Sequence, residues 1–126
     1  MLEFSDVEQA YLASQRLGRL ATILPGGYPH NNPVGFALNA ALGTIDIGGH
    51  NLGASRKFAN VRANPKVSFV VDDIVSHSPW QVRGIEIRGE AEALSDVDPL
   101  HSGLSRELIR LHPTRIRSWG LLSPVP

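Results

Sequence analysis

Val82-Arg83-Gly84-Ile85-Glu86-Ile87-Arg88-Gly89-Glu90-Ala91-Glu92-Ala93-Leu94 is the stretch on which the fold turns. Ile85, Ile87, Gly89, Ala91 and Ala93 alternate with Glu86, Arg88, Glu90 and Glu92. A period of two sends one row of side chains into a core and the other into water, so the segment reads as a long strand. The inner row tapers to small residues, as a tight barrel or a close sheet crossing requires.

Other strands fall on both sides of it. Leu17 to Leu24 is apolar and ends at the Pro25-Gly26-Gly27 turn; Tyr28 to Leu38 completes a hairpin. Pro29 and Pro33 interrupt that second strand, which must therefore be an edge, bulged or broken. Thr44 to Ile47 and Val67 to Val71 read as short strands, the latter ending in a solvated Asp72-Asp73 turn and a loop over Ile74 to Pro79. Ser5-Asp6-Val7-Glu8 has the form of a capping box, and a helix with Val7, Ala10, Tyr11 and Ser14 along one side should follow. A second helix should start near Ala54 or Ser55, turn Ala54, Phe58 and Val61 to the core, and stop at Asn64-Pro65. Asp98-Pro99 predicts a third, from Pro99 to Leu111, before a final strand from Arg115 to Leu122 and a tail over Ser123 to Pro126. Strands dominate and most are joined by short turns. The expected fold is mostly β: an antiparallel barrel with a few helices, one domain over residues 1–126.

Twelve basic residues balance twelve acidic ones, so no global field favours nucleic acid or a membrane surface. The absence of cysteine excludes a disulfide framework, a thiolate metal site and a cysteine nucleophile. The acidic N-terminus lacks the layout of a signal peptide, no run is long enough to span a bilayer, and a cytoplasmic protein is expected. A chain of this length buries only about two-thirds of its unfolded surface, so a second copy would help it.

Gly48-Gly49-His50-Asn51-Leu52-Gly53-Ala54-Ser55-Arg56-Lys57 is the first candidate for chemistry. Glycines at a strand end admit a ligand close to the backbone, and the helix start that follows favours an anion. Arg56 and Lys57 stand where the helix dipole disfavours positive charge, a misfit that a bound phosphate removes. The alternative is a plain loop with Asn51 or Ser55 as cap and both cations solvated. Tyr28 to Phe36 is the second candidate, because Asn31 and Asn32 could offer amide hydrogen bonds to a planar ring. The five histidines show no metal-ligand spacing, so no metal is expected; His50 has the best location, beside the glycine loop. Arg83 is a possible second anion contact. Trp80 could cover a ring or a neighbouring chain, with packing against the barrel the expected place, and Trp119 is expected in a core, an interface or a lid.

These stretches together resemble the flavin/deazaflavin-dependent oxidoreductases of the pyridoxamine 5'-phosphate oxidase-like split-barrel superfamily. The likeness is carried by Gln15 to Thr22 with Gly27-Tyr28-Pro29-His30, by Thr44 to Asn51, by Ser55-Arg56-Lys57-Phe58 with Asn64 to Val67, by Pro79-Trp80 with Arg83 to Gly89, and by Arg115 to Gly120. Among its members it is most similar to the small ones assigned to coenzyme F420. The resemblance implies a six-stranded antiparallel split β-barrel with two or three short helices, a homodimer, and two cofactor sites across the dimer interface. It implies phosphate binding by Arg56 and Lys57 with Ser55, Asn51 and His50 nearby. It places the ring along His30, Asn32 and Pro33, with Trp119 of the partner subunit closing the site. It implies a hydride passed from C5 of the reduced deazaflavin to an unsaturated small molecule, with FMN the alternative cofactor. His30, His50, Tyr28 or water then supplies the proton. A non-catalytic cofactor-binding protein is the remaining alternative. No residues matching the substrate signature of the oxidases proper are found, so that reaction itself is not expected.

Overall fold

The Val82–Leu94 alternation belongs to a strand that forms the longest side of a closed ring. A computed structural model describes residues 2–122. The elements in chain order are α1 (Asp6–Ser14), β1 (Leu17–Ile23), β2 (Pro29–Asn39), β3 (Thr44–Ile47), a 3-10 turn (Leu52–Ala54), α2 (Arg56–Ala63), β4 (Lys66–His77), β5 (Trp80–Ser95) and β6 (Glu107–Trp119). Around the barrel the strand order is β1-β2-β3-β6-β5-β4, with every pairing antiparallel. The core is the inner row of each strand: Leu20, Ile45, Ile47, Phe69, Val71, Ile85, Ile87, Ile109 and Leu111 are all nearly inaccessible.

The local signals explain the helices. The Ser5 hydroxyl accepts from the Glu8 N–H while the Glu8 carboxylate accepts from the Ser5 N–H, closing the capping box. The buried side of α1 is Tyr11 and Leu12; Ala10 and Ser14 face solvent, contrary to the expected stripe. Tyr11 is turned inward because its hydroxyl donates to Asp73 at 2.8 Å and its ring lies under Arg83. Ser55 caps α2, whose Phe58 and Val61 plug the barrel. Ala54 lies ahead of the helix and is exposed.

The prolines of β2 find the one place a sheet tolerates them. Residues 29–35 pair with β1 alone, and only residues 36–39 pair with β3. The first half of the strand is an edge, where a missing N–H breaks no ladder.

Four expectations are corrected. Residues 99–111 form no helix: a non-helical segment reaches Arg106 and β6 begins at Glu107. Leu100, Leu104, Leu108 and Leu111 mimic helical spacing, but Leu108, Ile109 and Leu111 are claimed by pairing to β3 and β5, and tertiary pairing overrides local propensity. Residues 74–79 are not a loop. They extend β4 through a bulge to His77, and Ser78-Pro79 turns the chain into β5. Trp80 therefore stands at the tip of an arm, 64% exposed, and not against the barrel. Asp72 and Asp73 lie inside β4, paired to Arg19 and Arg83, and not in a solvated turn. The expected tail over Ser123 to Pro126 lies outside the described residues. Among the described residues no helix is long and apolar enough to cross a membrane.

Candidate functional site

The start of α2 is where the sequence put a positive misfit, and there the misfit is real. Arg56 is exposed and Lys57 half-buried. Among the described residues neither has a carboxylate within ion-pairing distance, whereas Arg19, Arg83, Arg88, Arg106 and Arg110 each have one. Two adjacent cations in a helical first turn, opposed by the dipole and unmatched by an acid, form a surface suited to an anion.

The glycine loop before α2 plays another part. Two of its donors are already used: the Leu52 N–H donates to the Ser105 hydroxyl at 3.0 Å, and the Gly53 N–H donates to the Glu107 carboxylate at 2.9 Å. The Ser105 hydroxyl and N–H both donate to the Gly49 carbonyl, at 3.0 and 2.9 Å. Leu100 and Leu104 pack over Gly48, where an added Cβ would lie 3.0 Å from Leu104 Cδ1. The loop is thus strapped to residues 100–107, and Ser105 and Glu107 hold α2's leading end in place. Ser105→Ala is expected to cost about 1–2 kcal/mol and to speed hydrogen exchange at the Leu52 amide; an unchanged Leu52 rate would refute the strap.

The other sequence candidates divide into three places. Ser55 stays at the α2 start, but its hydroxyl is engaged, accepting from Phe58 N–H at 3.3 Å and donating to the Leu52 carbonyl at 2.6 Å. Asn51 is exposed with no capping bond, and His50 turns Nδ1 toward the Gly103 carbonyl at 3.2 Å. His30 and Asn32 lie across the ladder from Thr22 and Leu20, two residues of the buried inner row of β1. Asn60, from the inner side of α2, reaches the same row by donating to the Thr22 hydroxyl at 3.0 Å. So α2 joins the cation pair to β1, the strand that pairs with the one carrying His30.

Pro33 faces outward, opposite Arg19, beside a hollow of about 440 Å³ on the outer side of β1. Trp119 lies across Gly84, at the opposite end of β6 from Glu107. Twelve strand steps separate Trp119 from the contact with Gly53, roughly 40 Å of extended chain. Within one chain Trp119 is remote from the α2 start. Arg83 is committed elsewhere. Its Nε and Nη2 donate to Asp73 at 2.8 and 3.1 Å, which holds the Asp73 carboxyl below its usual range and removes Arg83 as an anion contact.

Thr22, Asn60, Ser105 and Glu107 were not singled out by sequence reasoning. Asn60 alone left a signal, as a polar residue between Phe58 and Val61 at positions expected to be buried.

Residues 4–120 match the family described as pyridoxamine 5'-phosphate oxidase. The chain is 44% identical over 121 residues to the 5a,11a-dehydrotetracycline/5a,11a-dehydrooxytetracycline reductase of Streptomyces rimosus subsp. rimosus, covering 95% of this chain and 85% of the relative. Among solved structures it is similar to the conserved hypothetical protein Rv2991 from Mycobacterium tuberculosis, with a TM-score of 0.73 and 26% identity over 93% of this chain and 85% of that one. It is also similar to an F420 reductase, with a TM-score of 0.67 and 24% identity over 86% of this chain and 94% of that one. The ring of six antiparallel strands with two helices is the split barrel these relatives share, and the protein is an oxidoreductase belonging to the pyridoxamine 5'-phosphate oxidase family.

Proposed function

We propose that the protein is a coenzyme F420-dependent reductase that saturates a carbon–carbon double bond conjugated to a carbonyl in a polycyclic small molecule, acting as a homodimer. The observation that carries this reading is the unmatched pair Arg56 and Lys57 at the start of α2, in a chain 44% identical to a reductase of dehydrotetracyclines. When bound, the reduced deazaflavin supplies the hydride from its C5.

The chain's own residues bind, orient and shelter. Arg56 and Lys57 neutralise the cofactor phosphate, and the free N–H groups of the first turn add to them. Ser105 and Glu107 fix the loop that positions this turn. His30 and Asn32 offer polar atoms to the ring from one row of β2. Trp119 of the partner subunit covers the ring. Exposed Leu17, Ile74, Val75 and Trp80 supply apolar surface for the second copy.

Replacing Arg56 and Lys57 together by alanine should weaken coenzyme F420 binding at least about tenfold, the effect of losing charge-assisted contacts to a phosphate. Fluorescence titration at fixed salt, with FMN run in parallel, measures it. Unaltered affinity would sink the assignment, and tighter binding of FMN would replace the deazaflavin by a flavin.

A further inference from the structure

A polar cluster lies inside the barrel where β1, β2 and α2 meet. Thr22 and Asn60 are each 1% exposed, and Asn60 Nδ2 donates to Thr22 Oγ1. Thr22 stands directly across the ladder from His30, so both side chains project from the same face with Cβ atoms about 4.5–5.5 Å apart. Two buried atoms of this cluster lack a partner: Asn60 Oδ1 and His30 Nδ1. The other ring nitrogen of His30, Nε2, is not buried.

A buried polar atom left unpaired costs about 1–3 kcal/mol. The Asn60 carbonyl can only accept, whereas a neutral imidazole carries one donor and one acceptor whose places are set by its surroundings. A direct bond between the two orphans has one arrangement: the proton sits on Nδ1 and is donated to Asn60 Oδ1. The Nε2 lone pair is then left facing out of the core.

We propose that Asn60 and Thr22 are positioning residues that hold His30 in its Nδ1–H tautomer, so that His30 Nε2 accepts a hydrogen bond from a ring N–H of the ligand. The chemical class selected is a planar heterocycle with an N–H between two carbonyls, the imide edge of a flavin or deazaflavin. Asn32, two residues along the same row, donates its amide to an adjacent carbonyl. The ligand half of this proposal rests on the reading given under Proposed function; the tautomer half does not.

The test has two arms. The first is imidazole nitrogen NMR of the ligand-free protein with His30 in its neutral form. The expected result is an Nδ1–H signature, shifting toward Nε2–H in Asn60→Leu and in Thr22→Val. A dominant Nε2–H form or an equal mixture in the wild type overturns the proposal, as does a tautomer that both substitutions leave unchanged. The wild-type spectrum decides this even where a variant fails to fold. The second arm compares FMN with N3-methyl-FMN, which lacks the imide N–H. The wild type should prefer FMN by about tenfold or more, and His30→Phe should discriminate by less than about threefold. Equal discrimination by both proteins overturns the ligand half. Failure of the wild type to bind either FMN or coenzyme F420 removes the cofactor reading and the ligand half together, and leaves the tautomer result intact.

Discussion

Asp46→Ala is expected to destabilise the barrel by about 3 kcal/mol, at the lower end of the range for breaking a buried ion pair, because Arg110 keeps some access to water. Asp46 is 4% exposed in the middle of β3. Its carboxylate accepts from Arg110 Nε and Nη2, both at 3.0 Å, from the Thr44 hydroxyl at 2.9 Å and from Asn39 Nδ2 at 3.1 Å. Alanine leaves the guanidinium, a hydroxyl and an amide without their common acceptor. Urea unfolding should show a lower midpoint with an unchanged slope; a loss below about 1 kcal/mol would show that the pair is not what holds β3 to β6.

The same carboxylate gives a pH dependence of known sign. Burial alone would raise its pKa, but hydrogen bonds from Arg110, Asn39 and Thr44 outweigh burial and hold it below the ordinary 3.8. A group depressed in the folded state stabilises the fold fully above its unfolded value and loses that contribution as the pH falls through its folded value. The stability gap between wild type and Asp46→Asn should therefore close as the pH drops below about 4. A gap that stays constant into acid would contradict the assignment.

Gly89→Ala is the second large effect. Gly89 sits on the inner row of β5 at the register shift between Arg88 and Gly89. A Cβ there would lie 2.0 Å from the His112 carbonyl oxygen and 2.9 Å from its carbon. Both belong to the backbone of β6, which cannot retreat without opening the β5–β6 ladder. The expected cost is about 3 kcal/mol, or a fall of roughly 10 °C in Tm for a chain of this size. Gly26→Ala, whose Cβ meets nothing within 4 Å, serves as the control and should change little. Equal shifts in the two variants would mean that the close approach at Gly89 is not what matters.

The sequence made the strands legible wherever one face is buried and the other wet. Ile85 to Ala93 reads correctly because the alternation itself is the burial pattern. Thr44 to Ile47 is found at its true limits, yet nothing local reveals that all four residues are buried, because the partner of Asp46 lies 64 residues on. Residues 99–111 mislead for the same reason. Their leucines keep a helical spacing, and only the empty place between β3 and β5 makes the later part a strand. At the candidate site, Arg56 and Lys57 are visible as charges in an unfavourable turn. The Thr22–Asn60 bond joins positions 38 residues apart and leaves only a faint mark, a polar side chain where an apolar one is due. The resemblance to split-barrel oxidoreductases supplied the family, while the placement of Trp80, Arg83 and Asp73 needed the folded chain.

The position of β6 in the ring has a consequence for synthesis. It is the last strand to be made, yet it lies between β3 and β5. Until residues 107–119 leave the ribosome, both neighbouring strands stand with a row of unpaired N–H and C=O groups, and such rows are templates for strand addition. The Asp46 carboxylate waits during the same interval for Arg110. Closing a ring through contacts this distant in sequence is slow by nature. A ribosome that pauses before Glu107 therefore holds a chain with two adhesive edges, and the thirteen-residue β6 both completes the barrel and covers those two edges.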